Sequence, residues 1–147
     1  MRVSDIMSAD PACCAPSTKL RDVARMMVEE DCGEIPVCDE AGKPIGVVTD
    51  RDIVCRLIAK GHNPLEMTAE DCMSAPVVTA TCDMALEDLA RLMEQYQVRR
   101  VPVVEGEIIC GMITQADLAR RGTRDTIAEV IERVSEPNTF ASSVGGR

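Results

Sequence analysis

One stretch of this chain occurs twice, and the duplication restricts the fold more than any other feature. Gly46-Val47-Val48-Thr49-Asp50-Arg51-Asp52 is answered by Gly111-Met112-Ile113-Thr114-Gln115-Ala116-Asp117. Each copy is a short apolar run, then Thr, two variable residues, Asp, and a new apolar periodicity, the pattern of a buried strand turning directly into a helix. The Asp therefore falls in a helix's first turn. There the Thr hydroxyl and the Asp carboxylate point into one strand-to-helix crevice, beside backbone N–H groups that lack intrahelical partners. Such a crevice suits a polar ligand with hydroxyls and an anionic end. An ordinary helix cap accounts for either copy taken alone, and repetition by itself establishes a repeated fold unit, not a binding site.

The rest of the chain repeats in the same order. Val3 to Met7 is a short lead-in, and Pro11-Ala12-Cys13-Cys14 is expected as a short strand before Pro16-Ser17-Thr18. Leu20, Val23, Ala24, Met27 and Val28 recur at the spacing of one buried helical face, with Ser17 or Thr18 as its cap. Ile35-Pro36-Val37-Cys38, a turn at Asp39-Glu40-Ala41-Gly42-Lys43, and Ile45 to Thr49 read as a hairpin. A helix from about Asp50 is expected to bury Ile53, Val54, Leu57 and Ile58 and to stop at Gly61.

The pattern then begins again. Asp71-Cys72-Met73-Ser74 repeats Asp5-Ile6-Met7-Ser8, and Pro76-Val77-Val78-Thr79 repeats the first strand. The helix from Leu86 to Met93 keeps the apolar phase of Leu20 to Met27, and Val101-Pro102-Val103-Val104 repeats the first hairpin strand. The expected organisation is α+β: a β-α-β-β-α repeat at 2–61, a linker at 62–68, a second repeat at 69–122, a short helix at 123–134 and a mobile tail at 135–147. One unit of this size buries its apolar sheet poorly, so the two copies are expected to pack sheet against sheet about an approximate two-fold axis.

Composition removes several function classes. The formal net charge is −9, which repels a phosphate backbone, so nucleic acid is not an expected partner. With one Phe, one Tyr and no Trp, the chain has no aromatic platform, and any bound ring must lie between aliphatic side chains. No apolar run approaches a membrane span and no signal peptide is visible, so no membrane partner and a cytoplasmic location are expected. The eight cysteines show no Cys-x-x-Cys pair, and several stand where a small buried hydrophobe belongs. Cys13 and Cys14, with the single histidine His62, are the weak candidates for a metal or redox role.

In its ordered duplication of Asp-x-Met-Ser, the Pro-Val strand and Gly-x-x-Thr-x-x-Asp, the chain resembles the CBS (cystathionine β-synthase) domains over roughly residues 2–121. The tandem pair resembles a Bateman module, and in detail the small stand-alone two-repeat proteins of the hypoxic response protein type. The resemblance implies a regulatory, non-enzymatic protein that needs no cofactor. It implies binding of an adenosine-containing ligand, AMP, ADP, ATP, NAD or S-adenosylmethionine, between the paired repeats, and assembly as a homodimer. Carried over residue by residue, Asp52 and Asp117 would hold ribose hydroxyls, and Thr49 and Thr114 would contact ribose or phosphate. Ile35 and Val101 would lie along the adenine, with Ala12 and Val77 nearby. A carboxylate is a good bidentate acceptor for a cis-diol, and an aliphatic slot suits an uncharged purine.

Phosphate needs positive charge, and here the copies differ. Arg51 is answered by Ala116, whereas Arg99 and Arg100 are answered by Gly33 and Glu34. These three arginines are the candidate anion contacts, alternatively surface charges balancing nearby carboxylates. Two unequal sites are expected. The competing functions are a ligand-free dimeric interaction or scaffold protein, which would act on an unidentified effector protein through its surface, and a Cys-dependent metal or redox protein.

Overall fold

A computed structural model describes residues 1–121 and, beyond them, 124, 128, 131 and 132. The chain is α+β and divides into two compact units whose composition does not follow the chain order. One is built from Pro11–Val77 with Glu107–Ile109; the other combines Met1–Asp10, Val78–Gly106 and the chain from Cys110. Each unit therefore carries the lead-in of the opposite repeat.

In the unit holding the second repeat, α1 (Val3–Ile6) precedes β1 (Ser8–Ala9), and β4 (Ala80–Thr81) leads to α4 (Leu86–Tyr96). The hairpin β5 (Arg100–Glu105) and β6 (Ile108–Thr114) then feeds α5 (Gln115–Arg121). The sheet order is β1-β6-β5-β4. β1 is antiparallel to β6, with Ser8 opposite Met112, and β4 is parallel to β5, with Ala80 opposite Val103. α4 buries Leu86, Leu89, Ala90 and Met93, the i, i+3, i+4, i+7 face that periodicity requires. These pack with Val3, Ile6, Val101, Val103, Ile113 and Leu118.

The unit holding the first repeat follows the same plan. α2 (Leu20–Glu29) buries Leu20, Val23 and Met27 against the hairpin β2 (Glu34–Cys38) and β3 (Pro44–Thr49), whose register sets Ile35 opposite Val48. Ala69 and Cys72, from the second repeat's lead-in, complete this core at 0% and 1% exposure.

The exchange of lead-ins explains the glycine that opens each repeated stretch. A Cβ on Gly111 would meet Met7 Sδ at 2.6 Å and the Ser8 carbonyl oxygen at 2.9 Å. A Cβ on Gly46 would meet Met73 Sδ at 3.0 Å and the Ser74 carbonyl oxygen at 2.9 Å. Only a residue without a side chain lets the Met-Ser segment run this close to the strand.

Several expectations change. Residues 11–13 and 76–79 form no strand: Pro76 lies in a bend, and strand pairing is confined to a single Cys14–Val37 bridge and to β4. Neither Ser17 nor Thr18 caps α2: Lys19 is the N-cap, and the Thr18 hydroxyl accepts from the Ala15 N–H instead. Ala24 is exposed and Val28 is 81% exposed, because only the narrow Leu20-Val23-Met27 stripe faces the hairpin. After Asp52 the expected helix is irregular. α3 (Asp50–Asp52) passes into a π-helical stretch at Ile53–Leu57 and a 3-10 turn at Ile58–Lys60 before Gly61 takes φ +82°. In that stretch Leu57 is buried while Val54 and Ile58 are each 53% exposed.

The segment 62–68 is not free chain. Pro64–Glu66 forms a 3-10 turn, and the Met67 carbonyl accepts from the Leu20 N–H. Of the expected helix at 123–134, residues 124, 128, 131 and 132 are helical and exposed; the others, and the tail at 135–147, lie outside the described residues.

Candidate functional site

β3 ends at Thr49, whose backbone stays extended (φ −112°, ψ 158°) while Asp50 begins the helix. The turn closes as a reciprocal cap. The Asp52 N–H donates to Thr49 Oγ1 at 3.0 Å, and the Thr49 N–H donates to Asp52 Oδ2 at 3.1 Å. The Asp50 N–H donates to the Gly33 carbonyl at 2.9 Å, tying the corner to the start of β2. Asp52 is left 8% exposed. Among the described residues its second oxygen, Oδ1, receives no hydrogen bond and Asp52 forms no ion pair.

The second corner has the same cap. The Asp117 N–H donates to Thr114 Oγ1 at 3.1 Å, the Thr114 N–H donates to Asp117 Oδ2 at 2.9 Å, and the Thr114 hydroxyl lies 3.0 Å from the same oxygen. The Gln115 N–H donates to the Arg99 carbonyl at 3.0 Å, as Asp50 does to Gly33. The difference lies one turn along. Arg120 Nη2 donates to Asp117 Oδ1 at 3.0 Å, so both oxygens of this 5%-exposed carboxylate are engaged. Arg120 stands where the first repeat has Cys55, and its i, i+3 spacing from Asp117 is the signal by which sequence could have found it.

The other candidates separate into three groups. Ala12 and Val77 are half-buried, outside helix and strand, in the unit of the Asp52 corner. Ile35 in β2 and Val101 in β5 are core side chains at 1% and 0% exposure. Arg51 and Arg99 are exposed and Arg100 is half-buried; none of the three forms an ion pair among the described residues.

Beneath the Asp52 corner lies a buried thiol, Cys72. Burial, then the Asp52 charge, pushes the Cys72 thiol up to about 11. Arg56 holds this segment by donating to the Cys72 carbonyl at 3.0 Å and to Ser74 Oγ at 3.3 Å. Burial likewise pushes Cys14 up to about 11 and Cys38 to about 12, each with a further push from Cys13, and raises Cys13 itself. Such thiols are small apolar side chains at neutral pH. Among the described residues no three His, Cys, Asp or Glu gather where they could hold a metal ion, so Cys13, Cys14 and His62 are not assembled into a site. His62 is exposed. No described helix is long and apolar enough to cross a membrane.

Comparison with known proteins agrees with this architecture. The CBS domain model matches residues 3–59 and again 69–124. Hypoxic response protein 1 of Mycobacterium tuberculosis is 32% identical over 138 residues, covering 94% of this chain and 96% of the relative. A crystal structure of Hypoxic Response Protein I with two coordinated zinc ions superposes with a TM-score of 0.76 at 33% identity, over 82% of this chain and 98% of that one. CBSX2 in complex with AMP aligns at TM-score 0.69 and 28% identity, over 81% and 93% of the two chains. The CBS domain pair of protein MJ0100, in complex with 5′-methylthioadenosine and S-adenosyl-L-methionine, aligns at TM-score 0.73 and 28% identity, over 82% and 94%.

Proposed function

The chain belongs to the CBS domain family, with two copies of the domain, and on that premise we propose that it is a non-enzymatic regulatory module for an adenosine-containing ligand whose ribose is held at the Asp52 corner. The observation that carries this reading is the state of the Asp52 carboxylate. Its Oδ2 is committed to the Thr49 cap, while Oδ1 receives no hydrogen bond among the described residues. A ribose diol offers two O–H donors, and a desolvated anionic acceptor is the partner that makes such bonds strong. The AMP-bound CBSX2 and the CBS pair holding S-adenosyl-L-methionine support the adenosine class.

Ala12 and Val77 supply the aliphatic walls for the base. Ile35 shapes that slot from below as a core residue, and Val101 is its counterpart in the unit of the Asp117 corner. Arg51, without a carboxylate partner among the described residues, is the anion contact for a phosphate or carboxylate end at this corner, and Arg99 and Arg100 have that role in the unit of the Asp117 corner. Thr49 and Thr114 pre-shape their corners by capping. The Asp117 corner is the weaker site, because a ligand hydroxyl there competes with Arg120 for Oδ1.

A regulatory module signals only if ligand binds two conformations unequally. In this reading the chain acts as a homodimer, and the exposed pair Val54 and Ile58, four residues apart beside the Asp52 corner, supplies apolar surface for a second copy. Light scattering that finds monomer alone would remove the dimer from the proposal.

The deciding experiment is titration calorimetry of ligand-stripped full-length protein with AMP, ADP, ATP, NAD and S-adenosylmethionine. Micromolar binding of one compound, lost in Asp52→Ala, is the expected result. Absence of heat and of thermal shift with all five would overturn the adenosine reading and favour a ligand-free interaction protein.

A further inference from the structure

We propose that Cys82 and Cys110 form an oxidation site, a dithiol that a hydroperoxide converts into a disulfide. Cys82 lies in the turn just after β4, and Cys110 lies within β6. These two strands flank β5 in the sheet, and the side chains meet over it with Sγ atoms 3.1 Å apart. The backbone of β5 orients both sulfurs: Cys110 Sγ lies 3.5 Å from the Val103 carbonyl oxygen, and Cys82 Sγ lies 4.0 Å from that of Val104. Both residues are half-buried, so a small oxidant reaches them. Closing the sulfurs to bonding distance takes a movement of about 1 Å, and Cys82 sits in a turn where the chain can supply it.

The pair is not a packing requirement of the repeated fold. Aligning Gly46 with Gly111, and the Cys14–Val37 bridge with the Ala80–Val103 pair, puts Ile45 and Pro16 at the corresponding positions of the first repeat. A hydrocarbon side chain and a proline ring serve there, so sulfur at both positions of the second repeat carries chemistry the fold does not demand.

The reaction balances in two steps. Cys82 sulfur attacks one peroxide oxygen, the O–O bond breaks, and a sulfenic acid and one water (or alcohol, from an organic hydroperoxide) result. Cys110 sulfur then attacks the sulfenyl sulfur, expelling hydroxide that leaves as water with the Cys110 proton; sulfur is oxidised by two electrons and the peroxide is reduced. Burial, the contact with Cys82 and the charge of Glu105 push the Cys110 thiol up to about 11, so it stays protonated at neutral pH and the dithiol persists until an oxidant arrives. The bond would staple the turn after β4 to β6, the strand that ends in Thr114.

The test is to treat reduced full-length protein with equimolar hydrogen peroxide, block the remaining thiols with an alkylating agent, and map linked peptides by mass spectrometry. A Cys82–Cys110 linked peptide should form ahead of any other pair. Thermal unfolding of the oxidised protein should rise by about 10 °C, reversibly on addition of dithiothreitol, and neither Cys82→Ser nor Cys110→Ala should show the rise. Recovery of both cysteines alkylated or singly over-oxidised, a first link between other cysteines, or the same rise in either variant would overturn the proposal. The linked peptide is read directly from the native chain, so the test stands even where one variant folds poorly.

Discussion

The two Thr-x-x-Asp corners share one backbone solution and differ in one side chain. Both use reciprocal Thr–Asp caps, and both tie the first helical N–H to the chain entering a hairpin strand. Yet Asp117 is clamped by Arg120 along a regular α5, whereas Asp52 is followed by a π-helical stretch with Cys55 at the matching place. A duplicated motif therefore specifies a duplicated cap, while the residue one turn further on decides whether the carboxylate has an oxygen to offer.

The largest effect that would break this comparison is on ligand affinity. Asp52→Ala should weaken binding of the adenosine compound about 100-fold, the loss of a charge-assisted bond pair, while Asp117→Ala changes it by no more than a few-fold; calorimetry of the two variants measures both. Equal losses would mean that the corners are equivalent despite Arg120.

Next in size is a test of what the repeats hold in common. Gly46→Ala and Gly111→Ala should each destabilise by about 1–3 kcal/mol in denaturant unfolding, since each new Cβ meets a carbonyl oxygen 2.9 Å away. An unaffected variant would show that the lead-in can shift without cost.

Alkaline stability separates the units by their thiols. Cys14, Cys38 and Cys72 in one unit are pushed up to about 11, about 12 and about 11, and Cys110 in the other to about 11, all from an ordinary 9.0. The folded state keeps protons that the unfolded chain releases, so stability is intact below pH 9 and declines as pH climbs toward the raised values. Raising the pH from 8 to 10 should lower the melting temperature by several degrees, and hydrogen exchange should show the three-thiol unit opening first.

The smallest effect sharpens the comparison most directly. Arg120→Ala should raise affinity at the Asp117 corner about threefold, the scale of a half-exposed ion pair. A second binding event in calorimetry, present in the variant and weaker in the native protein, is the expected outcome.

Periodicity and punctuation were enough to place both hairpins, the Leu20-Val23-Met27 and Leu86-Leu89-Ala90-Met93 faces, and the strand-to-helix turns that carry Asp52 and Asp117. These are properties of short windows, where spacing of apolar residues and cap chemistry act within one or two turns. The same reasoning placed Val28, Val54 and Ile58 inside, and they are exposed. A helical stripe says which residues share a face; it does not say how much of that face a neighbouring element covers.

By itself, the sequence determined that this protein is a doubled unit with a Thr-x-x-Asp corner, its Asp in a helix's first turn, at the same place in each copy. Only the tertiary structure decided that Val3 and Ile6 complete the second repeat's core while Ala69 and Cys72 complete the first's, and that Cys82 and Cys110 meet across β5. The physical reason is range. Caps and periodic faces arise from neighbours in the chain, whereas exchanged lead-ins and a sulfur pair 28 residues apart arise from which surfaces are left to be buried once the local elements have formed.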